Sequence, residues 1–172
     1  SLDGGSSWSN LGMIDDFWSA ATKTPGTRVV SDGDPVIVIG PRPLAGGGFS
    51  HTERRAYYAM LGALEAKKGF EYVMVSYSDD FASTSPTWSD PVIATTKTSS
   101  VDFNDKNGIG VDDNPSSPQF GRVYVSWTEF RSNTGTGNGN EPMMVSVSTN
   151  GATSFGAPKQ LSPAGNNGTG NG

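Results

Sequence analysis

An all-β fold is predicted for this 172-residue chain, and three observations predict it. The composition is turn-rich: 23 Gly and 11 Pro stand among abundant Ser, Thr and Asn, and apolar residues reach only 34%. A helical bundle or coiled coil needs far more Ala, Leu, Glu and Lys. Eight Phe, five Tyr and four Trp carry more aromatic surface than a disordered chain does. An aromatic-ended octapeptide also recurs in step with short runs of Val, Ile, Tyr and Trp bounded by Gly, Pro, Asn and Asp, which is how strands of a repeating β protein are written.

The other bounds are coarse. The length suits one domain at the usual prior of about 150 residues. No run approaches the ~18 apolar residues of a membrane span. A net charge of −5, with no basic cluster denser than Arg54-Arg55 or Lys67-Lys68, argues against a nucleic-acid partner. Absence of Cys excludes disulfides and thiolate chemistry. The opening Ser1 to Asn10 has neither a basic n-region nor an apolar h-region. An export signal either lies outside this sequence or does not exist.

The repeat begins at once. Ser1-Leu-Asp3-Gly-Gly5-Ser-Ser7-Trp8 reads as Ser, any, Asp or Asn, any, small, any, Ser, aromatic. Ser148-Thr-Asn150-Gly-Ala152-Thr-Ser154-Phe155 shares that skeleton, and Ser78-Asp-Asp80 reaches Thr87-Trp88 across an insertion. The third-position Asp or Asn can bond backbone amides a few residues on and fix a hairpin from within. The neighbouring glycines accept left-handed geometry, and the terminal aromatic buries a large apolar face, worth about 1.5–3 kcal/mol. Each octapeptide is therefore a folding staple between two antiparallel strands.

Strands follow in order. A tail at Asn10 to Ile14 is the outer strand of a first, incomplete unit. Asp34-Pro-Val-Ile-Val-Ile39 opens the second unit. Leu44 to Thr52, with Gly46-Gly47-Gly48, is a loop, and Tyr57 to Leu61 and Glu71 to Tyr77 are the next strands. Leu64 to Lys68 is a turn, although Tyr57 to Ala66 and Ile14 to Ala21 also contain helix formers. Pro91 to Thr95 closes that unit. In the third, Asp105 leads into Ile109-Gly-Val111, followed by Val123 to Thr128, Met143 to Val147 and Pro158 to Leu161. Arg55-Ala-Tyr57 precedes Arg122-Val-Tyr124 by the same interval that separates Trp88 from Phe155. The units are thus 1–33, 34–100 and 101–163, with a Gly/Asn-rich tail or linker at 164–172.

The octapeptides resemble Asp boxes, the bacterial neuraminidase repeats, whose pattern is Ser-any-Asp-any-Gly-any-Thr/Ser-Trp/Phe. Ser1 to Trp8 matches throughout; Ser148 to Phe155 departs at Asn150 and Ala152. The run 105–130, DKNGIGVDDNPSSPQFGRVYVSWTEF, is similar to inner strands of sialidase-like repeat proteins. The resemblance implies a β-propeller: two complete four-stranded antiparallel blades plus one outer strand, part of a six- or seven-bladed ring. The box residues Ser1, Asp3, Gly5, Trp8, Ser78, Asp80, Thr87, Trp88, Ser148, Asn150, Ser154 and Phe155 are then structural, on the rim. Two and a quarter blades leave open faces. These meet the rest of a propeller or other copies of the chain, three of which could close six blades.

Function is less legible. A sialidase needs an arginine triad for the substrate carboxylate, a Tyr–Glu pair and an acidic donor. The arginines are Arg28, Arg42, Arg54, Arg55, Arg122 and Arg131, without the Arg-Ile-Pro of the sialidase N-terminal region; Glu129 could face a central channel but reads better as a solvated strand end. Asp15-Asp16, Asp79-Asp80 and Asp112-Asp113 are sequence neighbours, which on strands point to opposite faces and so are not glycosidase dyads. His51, the only histidine, sits in a Gly-rich loop and supports neither a triad nor a zinc site. Asp102 to Gly108 faintly resembles a calcium loop, out of register and without its Glu; the default is a turn with no cofactor. Trp127 reads as core, whereas Trp18 and Phe49, placed in loops, are candidate sugar platforms. Asn167-Gly-Thr169 fits a glycosylation acceptor. The expectation is a non-catalytic, secreted or cell-surface recognition module that contacts glycans. The alternatives are a segment of an exo-sialidase-like hydrolase and a self-assembling structural protein.

Overall fold

The computed structural model describes residues 1, 3–25, 27–65, 71–95, 102–131 and 141–162. It is all-β, with two four-stranded antiparallel sheets. Two 3-10 turns, Ile14–Phe17 and Ala20–Lys23, precede β1 (Val29–Pro43), β2 (Phe49–Leu64), β3 (Tyr72–Ser78) and β4 (Val92–Ile93). The second sheet contains β5 (Asp102–Val111), β6 (Val123–Arg131), β7 (Met143–Ser148) and β8 (Lys159–Gln160). Each sheet is an up-and-down meander in sequence order.

Register makes the sheets equivalent. Ala56 of β2 lies opposite Ser78, the first residue of a box, and Val123 of β6 lies opposite Ser148, the first residue of the next. Alternation along the strands then defines two faces per sheet. One, the leading face, carries Tyr57, Ala59, Leu61, Val73 and Val75 in the first sheet. The other, the trailing face, carries Val123, Val125, Trp127 and Met144 in the second sheet. These two faces form one buried cluster, flanked by Val38, Tyr77, Ile109, Val111 and Phe155. Trp127 is core, as the β-rich run around it requires. The Tyr57 hydroxyl donates to Pro41 O at 2.9 Å, and burial pushes its pKa up to about 12.

The seam closes tightly because Gly40 lacks a side chain: a Cβ there would come within 2.5 Å of Val111 Cγ1. Polar ties cross it too. Asn104 Nδ2 donates to Glu71 O at 2.6 Å and Asn107 Nδ2 to Asp34 O at 3.1 Å, and Arg54 pairs with Asp113. The trailing face of the first sheet is partly covered by residues 14–18. Trp18 packs there in a cluster with Val29, Met60, Tyr72 and Met74.

Several expectations are corrected. Residues 10–13 form no strand, and Ile14–Phe17 is a 3-10 turn. The tails after the second and third boxes are strands because each is bonded to the strand ahead of its box (Ser89 N to Tyr77 O, 2.8 Å; Gly156 N to Val147 O, 2.9 Å). Among the described residues, 10–13 have no such partner. The loop expected at 44–52 shrinks to a turn closed by Leu44 N to Gly48 O, with Gly47 and Gly48 left-handed; Phe49 and His51 belong to β2. Leu64, expected in a turn, ends β2. Asp102 to Gly108 is strand rather than calcium-type loop, interrupted by a bulge between Asp105 and Gly108 with Lys106 at φ 56. The first sheet has the same irregularity around Asp34, φ 47. Residues 133–140 and 164–172, with Asn167, lie outside the described residues.

Candidate functional site

The boxes explain where the site sits. In the first, Ser7 N donates to Asp3 Oδ1 at 3.0 Å, Ser7 Oγ to Asp3 Oδ2 at 2.7 Å and Ser1 Oγ to Asp3 Oδ1 at 2.8 Å. In the second, Thr87 N donates to Asp80 Oδ1 at 2.8 Å and Ser78 Oγ to the same oxygen at 2.9 Å. In the third, Ser154 N donates to Asn150 Oδ1 at 3.1 Å and Ser148 Oγ to it at 2.8 Å. One bonding scheme thus recurs with Asp or Asn at its hub. Ser1 and Ser148 each accept a further amide, from Gly5 and Ala152. The Ser7 hydroxyl and amide, then the Ser1 hydroxyl, hold the Asp3 carboxyl down at about 2. The Thr87 amide chiefly lowers that of Asp80. Trp88 packs edge-on to Tyr58 at 6.2 Å and Phe155 against the seam core, but Trp8 is 79% exposed, so the first box does not bury its aromatic as expected.

The turns of the β1–β2 hairpin and of the boxes emerge at the same end of the sheets, as a meander requires. There, at the seam, Arg55 is buried. Its Nε and Nη2 donate to the two carboxylate oxygens of Asp79, both at 2.7 Å, and its Nη1 to Gly151 O at 2.7 Å. Its guanidinium lies 3.9 Å over the Tyr77 ring. One arginine therefore joins the second box, the strand before it and the turn of the third box. Asp79 and Thr149 occupy the free second position of their boxes.

Beside this latch opens a cleft of about 400 Å³ whose lining includes Arg42, Phe49, Asp79, Thr149 and Thr153. Phe49 is set by β2: Gly121, at φ 82 and with no side chain, gives its ring room, since a Cβ there would fall 2.1 Å from Cγ. Phe120 meets the Phe49 ring edge-on at 6.5 Å and stacks on His51 at 4.9 Å. Arg42 differs from Arg55. It is 41% exposed and touches Glu53 and Asp79 only at 3.6 and 3.5 Å, beyond good hydrogen-bond length. Its planar donors can therefore re-pair with a ligand carboxylate without breaking a short bond.

The remaining candidates fall elsewhere. Trp18 is 4% exposed, so burial removes its ring from use as a sugar platform. Arg131 pairs with Glu129 at 2.7 Å, so Glu129 is an ion-paired residue within β6 and not a free strand end. Asp112 accepts from Ser117, Asp113 pairs with Arg54, and Asp79 and Asp80 are taken by Arg55 and the box. Among the described residues no group of three or more His, Cys, Asp or Glu could hold a metal, and no helix is long and apolar enough to cross a membrane. Sequence reasoning weighed Arg42 and Asp79 only as catalytic groups and set them aside, and it missed Thr149. The available signal was that the second box position has no part in the staple and is free for other use. No protein-family model, curated protein or solved structure matches the chain.

Proposed function

We propose that this chain is a recognition module built from two blades of an Asp-box β-propeller, and that its seam cleft binds an acidic saccharide. The blade reading is supported by the order of the two meanders, their face-to-face packing and the thrice-repeated box. The ligand reading rests on one observation above the others: Arg42, held by two long ion pairs, shares a cleft with the Phe49 ring and the Thr149 and Thr153 side chains. A guanidinium suits a carboxylate, an aromatic face suits the apolar side of a pyranose, and hydroxyls suit its rim. Nothing in that set supplies a nucleophile paired with a base, so binding without turnover is the reading favoured.

Calorimetric titration with uronate- and sialate-bearing oligosaccharides tests it. Binding should occur, should weaken about tenfold or more in Arg42→Ala or Phe49→Ala (about 1.4 kcal/mol), and should be absent for the neutral analogue. No binding by the parent chain, or equal binding by both variants, sinks the assignment.

A further inference from the structure

The molecule contains a template for covering its own open faces. Inside the seam, the leading face of the first sheet packs on the trailing face of the second. The leading face of the second sheet has no such cover among the described residues. It carries Tyr124, Val145 and Val147, with Phe103 44% and Met143 49% exposed at its border. The trailing face of the first sheet leaves Ile37 59% and Ile39 48% exposed. Their counterparts in the second sheet, Ile109 and Val111, are the residues packed into the seam. Trp18 already covers Met60, Tyr72 and Met74 on that face, so the Ile37/Ile39 strip is the part of a second seam's trailing half that stays open, and the leading half lies on the opposite side of the same chain.

An arginine points the same way. Arg55 reaches from within β2, beside Ala56, to the box turn of the following sheet. Arg122 holds the equivalent place before β6, next to Val123 as Arg55 is to Ala56. Its side chain has no hydrogen bond or ion pair among the described residues, since Thr149 stands where Asp79 serves Arg55.

We infer that the leading face of the second sheet docks the exposed Ile37/Ile39 strip of a second copy of this chain, head to tail, with Arg122 reaching that copy's box turn at 78–88. The contact is heterologous, so it propagates unless it closes into a ring. The inference rests on the blade reading, not on the ligand: a chain that binds saccharide but never associates would overturn this and leave the cleft assignment standing.

Sedimentation of the full chain tests it. The parent should exceed its 18.0 kDa mass as concentration rises toward about 100 µM, a modest affinity for such a contact. Ile39→Asp and Val145→Asp, each on one face, should both stay at monomer mass. Mixed in equal amounts they should give a 1:1 dimer that grows no further, because each retains the face the other lost. Arg122→Ala, at a half-buried position whose side chain makes no hydrogen bond among the described residues, should weaken association while leaving the β circular-dichroism spectrum unchanged; this variant carries the test if either Asp variant fails to fold. A parent that is monomeric throughout, folded single variants that still associate, or folded variants whose mixture stays monomeric would overturn the inference.

Discussion

Removing the Arg55 side chain should cost this fold more than any other single surface-reaching contact. The residue is buried and makes three 2.7 Å bonds, two to Asp79 and one to Gly151 O. Taking one partner from a buried ion pair costs about 3–5 kcal/mol. Asp79 retains 30% side-chain exposure, so water recovers part of that and the lower end applies. Loss of the contact with the Tyr77 ring adds about 0.5–2 kcal/mol. Arg55→Ala should therefore lose about 3.5–5 kcal/mol, a fall of roughly 7–20 °C in Tm for a chain of this size. Urea unfolding of Arg55→Ala, Asp79→Asn and the double variant measures it. The cycle should return a coupling of about 1.5–3 kcal/mol, the worth of charged hydrogen bonds. Arg122→Ala, at the equivalent position without the bonds, should be neutral within about 0.5 kcal/mol. A loss below about 1 kcal/mol for Arg55→Ala, or no coupling to Asp79, would refute the view that this arginine locks the seam.

Further outcomes follow from the boxes and the core. The Asp80 carboxyl lies below its ordinary 3.8, so its support is present above that value and is lost as pH falls through the depressed one. The Thr87 amide should move in an NMR acid titration while the Ser154 amide, bonded to uncharged Asn150, should not. Accordingly Asp80→Asn should keep the staple, whereas Asp80→Ala should lose about 1–2 kcal/mol in chemical denaturation. Gly151, at φ 70, would place a Cβ 2.6 Å from Pro43 Cγ; Gly151→Ala should cost about 2–3 kcal/mol by strain and clash. By contrast Ala152→Gly should be near neutral, because relief of the left-handed alanine offsets the lost buried methyl. Tyr57 ionises in the unfolded chain near 10 but in the fold only near 12. Its folded pKa is raised, so stability should decline between those pH values, and Tyr57→Phe should flatten that slope in alkaline denaturation curves.

Much of the architecture was legible because it is written locally and repeated. A box states its own hydrogen bonds: hub, closing hydroxyl and aromatic lie within eight residues, and only the insertion after Asp80 obscures the pattern. The strands around Tyr57, Val75, Val125 and Val147 read correctly because alternation marks buried positions whatever lies beyond. What failed was set by distant partners. Residues 10–13 look like a strand until the partner that box tails need is sought. Trp18 looks available until Met60 and Met74 cover it. Phe49 and His51 sit in a glycine-rich stretch, yet pairing with β1 carries β2 back to Phe49. The Arg55–Asp79 latch spans two strands, and its link to Gly151 spans two sheets, so no local window shows it. The role of Arg42 depends on two distances that no spacing encodes.

The cleft, the latch and the head-to-tail face all require that the leading face of the first sheet lie on the trailing face of the second. A methyl-resolved NOESY spectrum of the chain in solution measures this most directly. Contacts between the Val111 methyls and the Gly40 α-protons, and between the Tyr57 ring and the side chains of Val125 and Trp127, are the predicted result. Well-resolved contacts within each sheet, with none joining Gly40 to Val111, would contradict it.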